Sequence, residues 1–339
     1  MPAARSGRLH PTSSGASSLV KFDPDDISTR LDPELAPQFR ALPRPERPLN
    51  LDDVRLLQIQ VGEQLKLEME PGESIAIEDR LIPGVADAPA IPVRIYRPLH
   101  TPADTALLWI HGGGFIMGHH ATEDIMALPW VRATGCAVVS VGYRLAPEHP
   151  FPAGADDCYA ALCWIADAAN PLGFKPRKLA VGGISAGGCL AASTALRARD
   201  LGGPKLDFQL LLVPVLDNHN ELPSTHEITD PRAWNRHSAL VSWEMYLGPN
   251  FLGEASPYAA PARAQDLSGL PSCFVEAAEI DVLRDEAIEY ARRLMQAGVT
   301  TELHVYPGAY HASTIGRPDA AISRQAFADI TNALRKALA

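Results

Sequence analysis

Short stretches of this chain carry residue types that could do chemistry together. The first is Gly183-Ile184-Ser185-Ala186-Gly187. A serine with glycine at minus two and plus two suits a sharp turn from a strand into a helix. Strand and helix nearly touch there, so only small neighbours fit. Such a turn holds the hydroxyl away from the backbone in a strained conformation, and the helix N-terminus beneath it favours developing negative charge. The second is His111-Gly112-Gly113-Gly114, which follows the apolar run Ala106–Ile110. Successive glycines leave their N–H groups unobstructed and free to converge on one point, as a tetrahedral oxyanion requires. A phosphate cradle is the other use of such a loop. Neither glycine-rich stretch has the Gly-x-Gly-x-x-Gly spacing of a dinucleotide site, and no Gly-Lys-Ser/Thr follows either.

A serine nucleophile needs a base, and the base needs an orienting carboxylate. Glu279, Asp281, Asp285 and Glu286 follow an apolar block at Cys273–Ala277, and His311 follows another at Thr301–Tyr306. The chain order is then nucleophile, acid, base, as sheets with this kind of turn use it. Asp285 and Glu286 stand where a helix begins before Ala287, a favourable place for acids whatever their chemistry. Glu279, nearer the strand end, rivals Asp281. His304 rivals His311 but falls inside a strand, and His219, His226 and His237 read as surface or pocket residues. Glu148 and His149 lie among prolines in a rigid polar loop, Arg144–Pro152, that braces the preceding strand. His119, His120, Glu123 and Asp124 have the composition of a metal site. The plainer reading is that Thr122 caps a helix with acids in its first turn, and no metal is expected.

These groups need a scaffold, and the rhythm of the chain supplies one. Strands are expected at Ser74–Ile82, Ile91–Arg97, Thr105–Ile110, Ala137–Tyr143, Lys178–Val181, Phe208–Val213, Cys273–Ala277 and Thr301–Tyr306. Helices are expected at Leu51–Leu67, Glu123–Ala133, Gly154–Ala169, Ala186–Arg199, Ala287–Ala297 and Ala320–Leu338. From Thr105 onward the strands read as continuous apolar blocks alternating with helices. That pattern belongs to an α/β fold with a mostly parallel sheet covered by helices on both faces. Residues 21–70 are proline-rich at their start and admit only short helical turns there. Residues 217–252 break the alternation and carry Trp234, Trp243 and Tyr246, so they read as an inserted helical segment.

Composition narrows the function further. A chain of 339 residues suits one large domain with a modest accessory part. The net charge of −10 and the absence of a basic cluster argue against nucleic acid as a partner. No apolar run reaches the length of a membrane span. The five cysteines are odd in number and lack metal-type spacing, which points to reduced thiols in a cytoplasmic protein. Residues 1–20 are rich in Ser, Ala and Gly, lack the apolar core of a signal peptide, and read as a disordered tail.

Taken in order, His111-Gly-Gly-Gly-Phe115, Tyr143-Arg-Leu-Ala-Pro-Glu-His-Pro-Phe-Pro-Ala153, Gly183-Ile-Ser-Ala-Gly-Gly188, Asp281-Val-Leu-Arg-Asp-Glu286 and His311 resemble the hormone-sensitive-lipase-like family of α/β-hydrolase esterases. The resemblance spans about residues 75–335. It implies Ser185 as nucleophile, Asp281 as acid, His311 as base, and the N–H groups of Gly113, Gly114 and Ala186 as oxyanion donors. It implies a helical cap made of residues 21–70 and 217–252 over a catalytic domain of 71–216 and 253–339. Trp234, Trp243 and Tyr246 are then candidates for a pocket that sorts substrates by size. The expected reaction is hydrolysis of small carboxylic esters with short to medium acyl chains, without cofactor. Hydrolysis of amides or lactones on the same triad, and ligand binding without catalysis on the same fold, are the alternatives. Oligomeric state and substrate stay open. So does the subfamily, because Ile184 replaces the acid or Thr common before the serine, and Val282 replaces a common Pro.

Overall fold

The computed structural model describes residues 23–42, 44, 51–52, 55–56, 74–101, 103–167, 175–249 and 251–339. The expected tail at 1–20, Phe22, and most of the expected helix Leu51–Leu67, with Val54, Leu57 and Val61, lie outside the described residues.

Among the described residues eight strands form one sheet. They are β1 (Ile75–Ile82), β2 (Ile91–Pro98), β3 (Thr105–Ile110), β4 (Ala137–Val141), β5 (Lys178–Ile184), β6 (Phe208–Leu212), β7 (Ser272–Ile280) and β8 (Thr301–Tyr310). The spatial order is β1-β2-β4-β3-β5-β6-β7-β8. The β1–β2 and β2–β4 pairings are antiparallel, and all others are parallel. Every residue of β3 and β4 is buried, which is why their sequences are apolar without alternation. The edge strand β1 instead carries Glu78, Asp79 and Arg80, charges that discourage pairing with another chain.

Among the described residues, the helices with both ends defined are α1 (Ala36–Ala41), α2 (Asp124–Thr134), α3 (Ala153–Ala166), α4 (Ala186–Asp200), α5 (Pro223–Glu227), α6 (Arg236–Leu247), α7 (Arg284–Gln296), α8 (Ser313–Gly316) and α9 (Ala321–Leu338). On one face α3, α4 and α7 pack with Leu108 and Ile110, and on the other α2 and α9 pack with Leu107 and Trp109. No helix among the described residues is long and apolar enough to cross a membrane.

The sequence pattern stops three strands too early: β7 runs on past Ala277 to Ile280, and two others overrun it as well. β5 runs on through Gly182, Gly183 and Ile184 and delivers Ser185 directly. β8 continues past Pro307 and Gly308, residues that read as breakers, and ends one residue before His311. A register shift opposite Ala278 and Ile280 absorbs the irregularity. Gly308 adopts φ 71°, its N–H donates to Glu279 Oε2 at 2.8 Å, and its carbonyl accepts from Asp32 N at 2.9 Å. Thr122 also differs from expectation. It belongs to a 3₁₀ turn and donates to His119 O, so Glu123 and not Thr122 occupies the cap position of α2.

Residues 24–27 meet the stretch between α5 and α6. Asp230, fully buried, accepts from Ile27 N at 3.2 Å and from Arg232 Nη2 at 2.7 Å. Thr229 N donates to Pro24 O, and the Arg232 guanidinium lies 4.6 Å over the Phe39 ring. Removing one member of a buried ion pair leaves the other charge unpaired. Asp230→Ala should therefore lower stability by about 3–5 kcal/mol. A urea denaturation midpoint equal to that of the parent chain would show that this junction contributes little.

Candidate active site

The elbow follows from a packing constraint. A Cβ on Gly187 would overlap Ile110 O, and one on Gly183 would overlap Gly187 O and stand 2.7 Å from Ile110 O. With both glycines in place, α4 seats against the end of β3, and the chain between must reverse sharply. Ser185 does so at φ 57° and ψ −120°, a conformation an L-residue adopts only under constraint. Its N–H donates to Leu212 O at 2.8 Å, and its carbonyl accepts from Val215 N at 3.1 Å, which fixes the turn to β6. The side chain makes no capping bond to α4, so the hydroxyl is available elsewhere.

The hydroxyl meets His311, whose Nε2 lies 3.0 Å from Ser185 Oγ. The ring's Nδ1 lies 2.8 Å from Asp281 Oδ2. A carboxylate can only accept, so Nδ1 carries the proton and Nε2 faces the serine as an acceptor. Asp281 is almost wholly buried, and its second oxygen accepts from Leu283 N at 3.1 Å. Neighbouring strand ends β7 and β8 bring acid and base together, because His311 directly follows β8 and Asp281 directly follows β7.

The other candidate acids are engaged elsewhere. Glu279 accepts from Gly308 N and pairs with Arg30. Asp285 accepts from Ser224 N and Glu286 from Leu216 N, both at 2.8 Å, tying α7 to the chain after β6. His304 bonds Glu302 and stacks near Phe274 on the sheet. His219 and His226 are exposed beside Glu254 and Glu221, and His237 is exposed as well. Glu123 accepts from Trp109 Nε1 and Asp124 from Tyr96 OH, both at 2.6 Å. Among the described residues no three His, Cys, Asp or Glu side chains converge as metal ligands.

The glycine loop lies across the cleft from His311. Gly113 and Gly114 have φ of 115° and 59°, and neither N–H meets an acceptor among the described residues. His111 is a strut. Its ring stacks on Tyr143 at 4.3 Å, its Nδ1 is 2.8 Å from Gly112 O, and burial pushes its pKa down to about 4, which keeps the ring neutral. Tyr143 OH donates to His111 O at 3.1 Å. Ala146 N donates to Phe115 O, and Arg144 grips Asp157 through both its backbone N–H and its guanidinium. Arg55 donates to Ile116 O and Ala146 O and pairs doubly with Glu148, holding that carboxyl down to about 2. Glu148 thus belongs to the brace and lies away from Ser185. No pattern in the sequence marks Arg55 for this task.

A cleft of about 330 Å³ opens over Ser185 and His311. Gly114, Met117, Ile125, Ile184, Trp234 and Ile315 are among the residues lining it. Trp234 forms part of the roof, with its ring 6.0 Å from that of His311 and its edge against Gly114. Trp243 and Tyr246, expected at the pocket, do not line it. Both sit on one face of α6 and are nearly fully buried, with Tyr246 stacked 3.9 Å from Phe115 and Trp243 5.3 Å from the same ring. They share a helix face three residues apart, and that face turns inward to grip Phe115 at the end of the glycine loop. Met117, Ile125 and Ile315 were not anticipated, since nothing local separates a cleft-facing apolar side chain from a core one.

One buried acid stands behind the base. Glu276, on β7, is 3% exposed and accepts from Thr314 Oγ1 at 3.3 Å, and burial pushes its pKa up to about 7 from an ordinary 4.5. The folded protein therefore keeps a proton that the unfolded chain sheds. This contribution to stability is full below about 4.5 and is lost as pH rises through about 7. Glu276→Gln should flatten the fall in stability between pH 5 and pH 8, by up to roughly 3 kcal/mol. Urea denaturation at the two pH values measures the difference, and a variant with the parent's pH slope would assign the proton to another group.

With this geometry in view, comparison with known proteins is direct. The family model described as alpha/beta hydrolase fold matches residues 107–315. The chain is 41% identical over 254 residues to the carboxylesterase NlhH of Mycobacterium tuberculosis, covering 73% of this chain and 78% of that protein. It is 38% identical over 239 residues to the esterase LipI of the same organism, covering 69% and 75%. Among solved structures, a bacterial heroin esterase superposes with a TM-score of 0.88 at 40% identity, over 93% of this chain and all of that one. The chain belongs to the hormone-sensitive-lipase-like family of α/β-hydrolase carboxylesterases.

Proposed function

We propose that this protein hydrolyses small carboxylic esters through an acyl-enzyme on Ser185. The observation that carries the reading is the pair of contacts joining Ser185 Oγ to His311 Nε2 at 3.0 Å and His311 Nδ1 to Asp281 Oδ2 at 2.8 Å. His311 takes the hydroxyl proton as Ser185 attacks the ester carbonyl. Asp281 holds the imidazole tautomer and stabilises the imidazolium that forms. The carbonyl oxygen becomes an oxyanion and settles on the N–H groups of Gly113, Gly114 and Ala186. As the tetrahedral intermediate collapses, the C–O bond to the alcohol breaks and His311 protonates the leaving oxygen. Water, deprotonated by the same histidine, then attacks the acyl-enzyme and frees the acid and the serine. Apart from the ester and water, each step uses groups of the chain.

Residues 21–70 and 217–252 act, on this reading, as a cap over a catalytic domain of 71–216 and 253–339. The junction at Asp230 and the placement of Trp234 over His311 support that division. A cleft of about 330 Å³, near the lower end of the roughly 300–1,000 Å³ seen for small-molecule sites, supports short to medium acyl chains. The free cysteines, Cys163 half-buried and the other four buried, support a reducing, cytoplasmic setting.

Asp281→Asn should lower kcat on p-nitrophenyl acetate by about 10⁴-fold, because the amide favours the wrong tautomer. Glu279→Gln should cost far less, and the reverse ranking in folded proteins would move the acid to Glu279. Trp234→Ala should raise the octanoate-to-acetate ratio of kcat/KM by about tenfold by opening the roof. Trp243→Ala should instead lower stability by about 3–5 kcal/mol and leave that ratio alone. Equal effects of the two substitutions on the ratio would contradict the separate roles given to these rings.

A further inference from the structure

A second recess adjoins the cleft. It runs between α2 and α9 and holds about 520 Å³, well inside the roughly 300–1,000 Å³ range of small-molecule sites. Ile125, Pro129, Ile315, Pro318, Phe327 and Ala328 give it apolar walls. Arg324 and Arg335 reach along the rim, where their stems add hydrocarbon and their heads stay in water.

Three features tie this groove to substrate. Ile125, Met126 and Ile315 line both the groove and the cleft at Ser185, so the two recesses share a wall. Ile125 and Ile315 are only partly buried, which leaves them room to change rotamer. Ile315 sits in α8, the short turn directly after His311, so a chain passing it starts beside the catalytic groups.

We propose that the groove between α2 and α9 is a distal subsite that takes the far, largely apolar arm of a medium-length ester whose carbonyl lies at Ser185. This rests on the esterase reading above. The cleft accommodates the reacting carbonyl and its nearest carbons. A longer arm displaces Ile125 and Ile315 and continues along Phe327 and Ala328, where burial of its methylenes adds to transition-state binding.

Ala328 is exposed on α9, so Ala328→Trp fills the groove without disturbing the core. The measurement is kcat/KM for p-nitrophenyl acetate, octanoate and decanoate, and for ethyl, hexyl and octyl acetate, with parent and variant. In one of the two series the long-to-short ratio should fall by about tenfold or more in the variant, and the series that responds identifies the arm as acyl or alcohol. An unchanged ratio in both series, or an equal loss at every length, overturns the subsite. A change of oligomeric state with unchanged ratios would make the groove an interface between copies and overturns it too. Binding of 2-decanone, followed by calorimetry, reads the groove without turnover and should weaken by a similar factor in the variant. Weakened ketone binding in a protein that hydrolyses none of the esters would sink the esterase reading and leave the groove standing. Undiminished ketone binding would remove the groove.

Discussion

The close approach of α4 to the end of β3 is the contact on which the rest depends. Gly183 and Gly187 have no side-chain atoms between helix and strand, and the carbonyl of Ile110 occupies the space a Cβ would need. That contact leaves the intervening residue one way to reverse direction. Ser185 therefore takes a strained positive-φ conformation, with its N–H on Leu212 and its hydroxyl clear of the helix it precedes. The same contact seats the first turn of α4 beside the glycine loop after β3. Ser185 and the N–H groups of Gly113 and Gly114 are thus placed by one packing event, and the strain at Ser185 is carried by the sheet around it.

Around this centre the chain separates rigidity from chemistry. Tyr143, Arg144 and Ala146 support the glycine loop from one side, while Phe115 is gripped by Trp243 and Tyr246 from the other. Arg55 adds a tie from the N-terminal region to the same loop through Ile116 and Ala146. The loop carries successive glycines and would otherwise be the least ordered part of the site. On the proposed mechanism this bracing preorganises the N–H groups of Gly113 and Gly114, which stabilise an oxyanion only when they need not reorganise as charge develops.

Burial decides the protonation states. His111 lies next to the glycines yet is held neutral by burial, and so it acts as packing and not as a second base. Glu276 and Glu123 are both pushed up to about 7 by burial, which weakens their negative charge near His311 and the glycine loop. Asp281 differs in meeting two specific donors, His311 and Leu283 N.

Much of this was legible in the sequence, for a physical reason. Strand and helix periodicity, the glycines at 183 and 187, and the ordered placement of Ser185, Asp281 and His311 are local properties. They fix the α/β fold class and mark the residues that meet at the strand ends. What local pattern could not supply was contact across the chain. Pro307 and Gly308 read as a strand end, yet Glu279 and Asp32 hold the backbone in register and carry β8 on to His311. Glu279 looked like a rival acid until the sheet turned it toward that bulge. Trp243 and Tyr246 looked like pocket aromatics, and only the rotation of α6 sent them into Phe115 while Trp234 stayed over the cleft. Composition places an apolar side chain in the interior. Which interior it faces, core or cleft, is set by elements far away in sequence, and only the tertiary structure decides it.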